Sequence, residues 1–518
     1  MTKHHLHKYV QIGLIILFFI GLFGTYIIPM TSLNQTIFLT HDGRWWLNQY
    51  YEFKQTFPNM SPVAFHGFNH VGLAINSLYP QTILKLIETP LILLNVNSPY
   101  IVMGSITILT MIIAVILLKT ISNQLVAPEY TWILTFIALI IIYDTSTGFV
   151  NSTPQAIGLD FILLGVYAIL NRPWLLTVAT YGLLSTSLTT SVIGLITFAI
   201  VFFLNAYWEK FIYLFIAGVM GIIGAIPSLG YILRHVHETL PVYQGFAQDY
   251  YPTVFQSNHI VYLLIFMILI LTIPLSCHYW KQPPYWLTII VVGYVILKFF
   301  PHFTAILSTP IQPGTWTRTL PIFAIALMFW LAPFFESYPK NSILKTLFLV
   351  ICALFTLPSY TELTYYINRP IHQSDYIQDQ KDGHWDKVYN RLQSNFKIKI
   401  DHTDLSAVQS YMRNIRKISP DYIPKDATLH ERTLAFHNQD YLKTHLALTK
   451  QVTNYNQMTI KLTTTDNKWH PLVVWSYPFI NYHIQATDGD VMTKHGMFYF
   501  RSHHPLRATH QIKFIANY

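Results

Sequence analysis

Apolar residues fill most of the first 358 positions in long blocks separated by short polar connections. As a helix, about 20 apolar residues cross a bilayer. On that measure the pattern predicts about eleven membrane spans, near 10–30, 100–118, 131–143, 156–170, 174–190, 191–207, 212–233, 259–276, 286–300, 317–335 and 343–358. The pair 174–190 and 191–207 is interrupted by Ser185-Thr186-Ser187-Leu188-Thr189-Thr190-Ser191, which suits a re-entrant or broken hairpin. Irregular backbone at that depth is tolerated only against protein or a water-filled cavity. After residue 359 the pattern changes. Residues 376–450 mix helical periodicity with charged turns, and from Gln457 short alternating runs replace them: Met458–Leu462, Leu472–Trp475, Tyr482–Ala486, Gly496–Phe500 and His510–Ile515. Separated by Asp488-Gly489 and His504-Pro505, these runs predict a β-sandwich.

Charge sharpens the boundary. The 518 residues are 52% hydrophobic and only 11% charged, against about 25% charged in an ordinary soluble chain. Of the 57 charged residues, 33 follow position 359. Three segments result: a transmembrane domain over 1–358 with a large external loop at 31–99, a mixed α/β segment over 359–456, and a sandwich over 457–518. Positive charges in short connections, namely Lys119, Arg172, Lys210, Lys281, Lys340 and Lys345, place the N-terminus inside. An odd number of spans then puts 359–518 outside the cell membrane, with the loops 31–99, 234–258 and 301–316 on the same side. The start, Met1–Lys8 before a long apolar run, reads as a retained signal anchor. Net charge is +9, but no dense Lys/Arg run supports nucleic-acid binding. The two cysteines lie in or beside apolar spans, so no disulfide framework is expected in the polar domain.

Within loop 31–99, Thr40-His41-Asp42-Gly43-Arg44-Trp45-Trp46 follows the first span directly. Asp42 there reads either as a catalytic acid or base at the membrane–water interface or as a helix N-cap, with Trp45 and Trp46 as aromatic-belt anchors. Further along, Thr82–Leu94 is apolar but for Lys85 and Glu88, which predicts an amphipathic helix along the interface. Charges in or beside spans are costly and commonly functional. Asp144 and Asp160, bracketing the short loop 143–155, are metal ligands or acid/base partners on one reading, a cap and a hydrogen-bonded buried acid on the other. Arg318, opening a late span in Gln312-Pro313-Gly314-Thr315-Trp316-Thr317-Arg318, suits bidentate grip of a lipid phosphate, or ordinary snorkelling. His66 and His70, four apart but in a glycine-bearing loop, favour plain loop histidines over a metal pair. Asp488-Gly489-Asp490 between two strands reads as a hairpin turn rather than a metal motif.

In this order the pieces resemble the YfhO-like family of bacterial polytopic membrane proteins, also labelled pyruvoyl-tetrahydropterin-synthase-related, within the GT-C superfamily of lipid-dependent glycosyltransferases. The matching residues are His41-Asp42 after the first helix, Phe68-Asn69-His70-Val71-Gly72 through Leu78-Tyr79-Pro80, and Gln312 through Trp316 and Arg318. Tyr422-Ile423-Pro424-Lys425 and Trp475-Ser476-Tyr477-Pro478 complete the set. Two positions depart from the family pattern. Its Arg-x-x-x-Gly-Glu reads Thr153-Pro154-Gln155-Ala156-Ile157-Gly158-Leu159-Asp160 here, without the arginine and with the acid one residue late, and its Ser-His reads Ser185-Thr186.

The resemblance implies an inverting glycosyltransferase that moves a sugar from a polyprenyl-phosphate donor to an extracytoplasmic glycan acceptor, a cell-wall polymer or glycolipid. Its catalytic candidates are Asp42, His41 and Asp160, with Asp42 as general base. Its substrate-binding candidates are Arg318, Gln312, Tyr79, Asp144, Arg44 and His70, with Arg318 stabilising the phosphate leaving group. No resident cofactor is implied, and a divalent metal at the acids is left open. Two other classes stay in view: a transporter or flippase of lipid-linked intermediates, and a non-catalytic scaffold that anchors the external domain.

Overall fold

The computed structural model describes residues 3–27, 36–39, 49–50, 53–54, 57–58, 82–96, 99–142, 154–205, 208–238, 285–299, 319–337, 346, 349–350, 352, 396–399, 424–428, 430–431, 434, 446–454, 456–504 and 507–517. The chain is helix-rich with a C-terminal β-sheet region. Its main elements, in order, are α1 (Lys3–Ile27), β1 (Thr36–Leu39), α2 (Thr82–Leu93), α3 (Pro99–Leu125), α4 (Thr131–Ile142), α5 (Pro154–Leu170), α6 (Leu175–Leu184), α7 (Leu188–Asn205), α8 (Phe211–His235), α9 (Tyr285–Phe299), α10 (Leu320–Ser337), β2 (Phe396–Lys399), β3 (Thr449–Asn454), β4 (Gln457–Thr464), β5 (His470–Trp475), β6 (Asn481–Ala486), β7 (Gly489–Lys494), β8 (Met497–Ser502) and β9 (Ala508–Asn517). They fall into two compact units, one of Met1–Trp46, Val96–Ala225 and Gly245–Ile400, the other of Leu47–Asn95, Ile226–Gln244 and Asp401–Tyr518.

The first unit is built from uncharged apolar runs, for which the helix is the natural state because it satisfies every backbone group within the segment. Among the described residues two helical stretches are long and apolar enough to cross a membrane, Gly104–Leu125 in α3 and Trp208–Pro227 leading into α8. The other predicted spans that are described form shorter apolar helices, such as Thr131–Ile142, Pro154–Leu170 and Leu320–Pro333. The predicted span 259–276 and most of 343–358 lie outside the described residues. The few polar side chains of these helices knit them together. Thr135 Oγ1 donates to Ser122 Oγ at 3.0 Å and Thr131 Oγ1 to Asn123 Oδ1 at 2.8 Å, joining α4 to α3. Trp330 Nε1 donates to Thr288 Oγ1 at 3.1 Å, joining α10 to α9. Phe18 of α1 stacks on Phe136 of α4 with ring centres 3.8 Å apart.

Helix α5 lies among α3, α6 and α7. One side of it carries Gly158, Phe161, Ile162 and Gly165, a spacing that lines up along one helical face. A methyl group at Gly165 would sit 2.0 Å from Phe198 Cζ, and one at Gly158 would sit 2.6 Å from Thr190 Cγ2. Leu183 and Ile162 fill the space over Gly194, and Phe161 the space over Gly182. The pairs Gly158–Thr190, Ile162–Gly194 and Gly165–Phe198 advance together along both chains, so α5 and α7 run parallel. Small residues at such crossings let backbones approach closely, which in an apolar surrounding is a main source of helix association.

The outer surface of this unit is itself apolar. Val10, Ile12, Ile16, Leu17 and Ile20 of α1 are exposed, as are Ile212, Tyr213, Phe215, Ile216 and Ile223 of α8.

The second unit holds the sheets. Strands β3-β4-β9-β6 form one and β5-β8-β7 the other, with antiparallel pairing throughout. Alternation along β4 and β9 turns Met458, Ile460, Leu462, Ile512, Phe514 and Ala516 inward. Across the gap Phe498 meets Phe514 at 5.1 Å and Tyr482 at 4.9 Å, and Phe500 meets His510 at 4.9 Å, so the two sheets pack face to face.

All five predicted strands are present. The pattern missed β3 and β7, two of the four edge strands, whose sequences Thr449–Asn454 and Gly489–Lys494 are polar; the other two edges, β5 and β6, are among the strands it predicted. The predicted hairpin turn at Asp488-Gly489-Asp490 is corrected. It joins β6 to β7, which belong to different sheets, with Asp488 at a φ of 51°. Its acids are paired, Asp490 with Arg501 at 2.9 Å and with His503 at 3.1 Å.

Two polar contacts stabilise this core. In β5 the pairing register shifts between Pro471 and Trp475, and Val473 takes a φ of 52°. Its carbonyl accepts a 2.6 Å hydrogen bond from Lys450 Nζ, and burial lowers the Lys450 ammonium to about 7. Burial opposes ionisation of Glu431, but hydrogen bonds from Thr428 and from the Tyr499 hydroxyl outweigh it and hold the carboxyl below its ordinary value.

Two outcomes follow. Gly165→Ala forces Phe198 out of its site and should lower stability by about 1–3 kcal/mol, the usual penalty of overpacking, read as a lower thermal midpoint in detergent. Glu431 has a folded pKa below its unfolded value. Its stabilisation is therefore complete above about pH 4.3 and lost as pH falls through the folded value. Tyr499→Phe should thus destabilise the sheets by about 1.5–3 kcal/mol at neutral pH, with the gap from wild type narrowing in acid. Unfolding followed by tryptophan fluorescence from pH 3 to 8 would measure both arms.

Candidate functional site

Of the residues singled out from the sequence, the structure describes Asp160. His41, Asp42, Arg44, His70, Tyr79, Asp144, Gln312 and Arg318 lie outside the described residues. The strand β1 ends two residues before His41 and pairs antiparallel with β2, Leu39 opposite Phe396. The chain therefore enters the His41-Asp42 stretch from a two-stranded ladder rather than from a simple connector.

Asp160 sits in α5, which otherwise carries no charged residue. It is 7% exposed, and its Oδ1 has no hydrogen-bond partner among the described residues. Two residues beyond Gly158, it projects about 200° around the helix from the glycine face. It therefore points away from the face that meets α7. An isolated carboxylate in an apolar helix bundle is costly, by about 2.5–3.5 kcal/mol even on the more lenient insertion scales.

A second set of polar groups occupies the glycine face. The helix pair α6–α7 is broken at Ser185–Ser187, where the Ser/Thr-rich run interrupts the apolar pattern. At ten residues α6 is about 15 Å long, too short to span a bilayer alone. The predicted pair of full spans is thus a short helix and a longer one joined by a tight turn.

The break is well satisfied on its backbone side. The Leu183 carbonyl accepts from Thr186 Oγ1 at 2.8 Å and Ser191 Oγ at 2.9 Å, and Ser187 Oγ accepts from the Thr190 N–H at 3.5 Å as the cap of α7. Its remaining hydroxyls are another matter. Ser185 Oγ and Thr190 Oγ1 are buried with no partner among the described residues, and so is Oε1 of Gln155, one turn before Gly158 on α5. Because α5 and α7 run parallel in register, Gln155 lies level with the break. The density of Ser and Thr in an apolar run signals the break, but which hydroxyls are left over depends on the packing.

A further charged cluster belongs to the second unit. Helix α2 forms where the apolar run Thr82–Leu94 predicts one, with its two charged side chains turned inward. Lys85 and Glu88 are buried with Leu84 and Ile92, whereas Leu86, Leu93 and Leu94 are exposed. Lys85 Nζ lies 5.4 Å from the centre of the Phe53 ring. Burial raises Glu88 well above the carboxylate range, with Lys85 acting against it. Burial, and then Glu88, push the Tyr50 hydroxyl up to about 12.

Two of the motifs that carry the family resemblance meet in this unit. The Lys425 N–H donates to the Glu238 carbonyl at 3.0 Å, the Ser476 N–H donates to the Gly496 carbonyl at 2.8 Å, and a methyl at Gly496 would lie 2.5 Å from Pro424 Cβ. His235, at the end of α8, lies 5.0 Å from the Phe479 ring and 3.3 Å from Glu238.

Among the described residues no group of three or more His, Cys, Asp or Glu is placed to hold a metal ion. Comparisons with family models, with curated proteins and with solved structures return no match to this chain.

The burial of Asp160 gives a direct test. Replacing a buried carboxylate whose Oδ1 lacks a partner among the described residues removes a cost, so Asp160→Leu should raise stability by about 1–3 kcal/mol, read as a higher thermal midpoint in detergent. A fall in the midpoint would mean that Asp160 is a structural, hydrogen-bonded acid.

Proposed function

We propose that the chain is a polytopic membrane glycosyltransferase of the GT-C type, resembling the YfhO-like family, which transfers a sugar from a polyprenyl-phosphate donor to an extracytoplasmic acceptor. The observation that carries this reading is the Asp160 carboxylate, deep in an apolar helix bundle with its Oδ1 unpartnered among the described residues. Such a group costs stability and is retained most readily where chemistry uses it. The apolar outward faces of α1 and α8 support a lipid surrounding. The packed sheets at the C-terminal end give a polymeric acceptor somewhere to be held.

In the proposed reaction Asp42 takes the proton from the acceptor hydroxyl as that oxygen attacks the anomeric carbon. The bond to the donor phosphate breaks with inversion, and the lipid phosphate leaves as an anion beside Arg318. Asp160 orients the acceptor hydroxyl. His41 is assigned to the catalytic group beside Asp42, and the Arg44, His70, Tyr79, Asp144 and Gln312 side chains to substrate binding around this centre. About eleven spans, an inside N-terminus and an external C-terminal domain belong to the same proposal.

A transporter of lipid-linked intermediates is the second reading. The Ser185–Ser187 break favours it, since discontinuous helices line substrate sites in many transporters.

Profiling lipid-linked sugars and wall polymer by mass spectrometry separates the readings. Asp42→Asn and Asp160→Asn cells should lack one glycan modification and accumulate its sugar donor, with activity in detergent reduced at least about 100-fold, the usual scale of a lost acid or base. Unchanged glycans in both strains would sink the enzymatic role. Donor build-up with intact transfer in detergent would establish transport instead.

A further inference from the structure

We infer that the α6–α7 break, together with the N-terminal turn of α5, forms a binding subsite for the hydroxyls of an uncharged sugar ring; this rests on the glycosyltransferase reading and names where its sugar sits. Three polar side chains from three segments lie near one level of the bundle, set by the contact of Gly158 with Thr190 and Thr186: Gln155 at the start of α5, Ser185 capping the end of α6 and Thr190 in the first turn of α7. Each is at least nine-tenths buried, and Gln155 Oε1, Ser185 Oγ and Thr190 Oγ1 have no partner among the described residues.

The contrast with their neighbours is the point. Thr186, Ser187 and Ser191 in the same turn all make hydrogen bonds, to the Leu183 carbonyl, the Thr190 N–H and the Leu183 and Ser187 carbonyls. The turn thus satisfies its backbone with one set of hydroxyls and holds the other set back. Gly158 is what brings Thr190 against α5, because any side chain there would displace it.

The chemistry selects the ligand. The three helices carry one charge between them, Asp160, and no basic residue. An anionic headgroup buried here would lack a counter-ion, which is expensive. Two hydroxyls and an amide oxygen match instead a partner that both donates and accepts several neutral hydrogen bonds, as sugar hydroxyls do. The phosphate of a lipid-linked sugar would lie elsewhere.

The test uses the full chain in nanodiscs with synthetic polyprenyl phosphate, bare or carrying glucose, galactose or N-acetylglucosamine. Wild type should bind at least one sugar-bearing lipid about tenfold tighter than the bare lipid. Thr190→Val and Ser185→Ala, which keep size and remove one hydroxyl each, should each cut that ratio about three- to tenfold, the value of one buried hydrogen bond. Affinity for the bare lipid should hold, and the thermal midpoint should stay level or rise, because no protein contact is lost.

A sugar ratio unchanged in both variants overturns the subsite while leaving the transferase reading intact. A midpoint that falls with the ratio overturns it too, by showing the hydroxyls to be structural. Failure of wild type to bind any of these lipids overturns the subsite, while the transferase reading is decided separately by whether Asp42→Asn cells lose a glycan modification.

Discussion

The close approach of α6 and α7 to the glycine face of α5 is the constraint on which the helical unit depends. Two glycines seven residues apart on α5 admit Thr190 at one end and the Phe198 ring at the other. Their separation spans about two helical turns, so together they fix the spacing and the parallel direction of α5 and α7. Once that packing is set, a break in the α6–α7 pair has a protein wall to lie against. Without such a wall an irregular turn in an apolar medium would expose backbone groups that nothing satisfies. The same contact places Gln155 opposite the break and leaves Asp160 on the far side of its helix.

The second unit solves a different problem with the same economy. Its two sheets bury alternating side chains between them, and the polar strands β3 and β7 close one edge of each. Ionisable groups that enter the core are tied to defined partners, Lys450 to the Val473 carbonyl and Glu431 to Thr428 and Tyr499. Helix α2 reverses the soluble pattern by turning Lys85 and Glu88 inward and leucines outward. That inversion suits an apolar exterior and is what a helix lying at a lipid surface with its polar face on protein would display.

Much of this was legible in the order of residues, and the exceptions share a cause. The helices from α3 to α8 follow from runs of apolar residues, and strands β4, β5, β6, β8 and β9 follow from alternation, because burial imposes those periods directly. The break at Ser185–Ser187 was legible too, since serine and threonine compete for backbone hydrogen bonds. Strands β3 and β7 were not, because Thr449–Asn454 and Gly489–Lys494 carry too few apolar residues to show an alternation, whereas β5 and β6, also at sheet edges, keep theirs. The inward face of α2 was not, because periodicity locates two faces but does not say which one meets protein. For the site, Asp160 was legible as a charge in an apolar run. The spare hydroxyls of Ser185 and Thr190 were not, because being spare is a property of what their neighbours bond.

That last distinction bears on how the polar groups of α5 divide. Asp160 and Gln155 stand five residues apart on α5, about 140° around the helix and about 8 Å along it. One ligand hydroxyl therefore does not bond to both. The acid and the hydroxyls therefore serve different ends of the chemistry. The hydroxyl set meets a neutral group that is held, and the carboxylate meets a group whose charge or proton changes. Under the proposed transfer the acceptor oxygen must reach the anomeric carbon, so the hydroxyl set would hold ring hydroxyls remote from that carbon while Asp160 meets the acceptor.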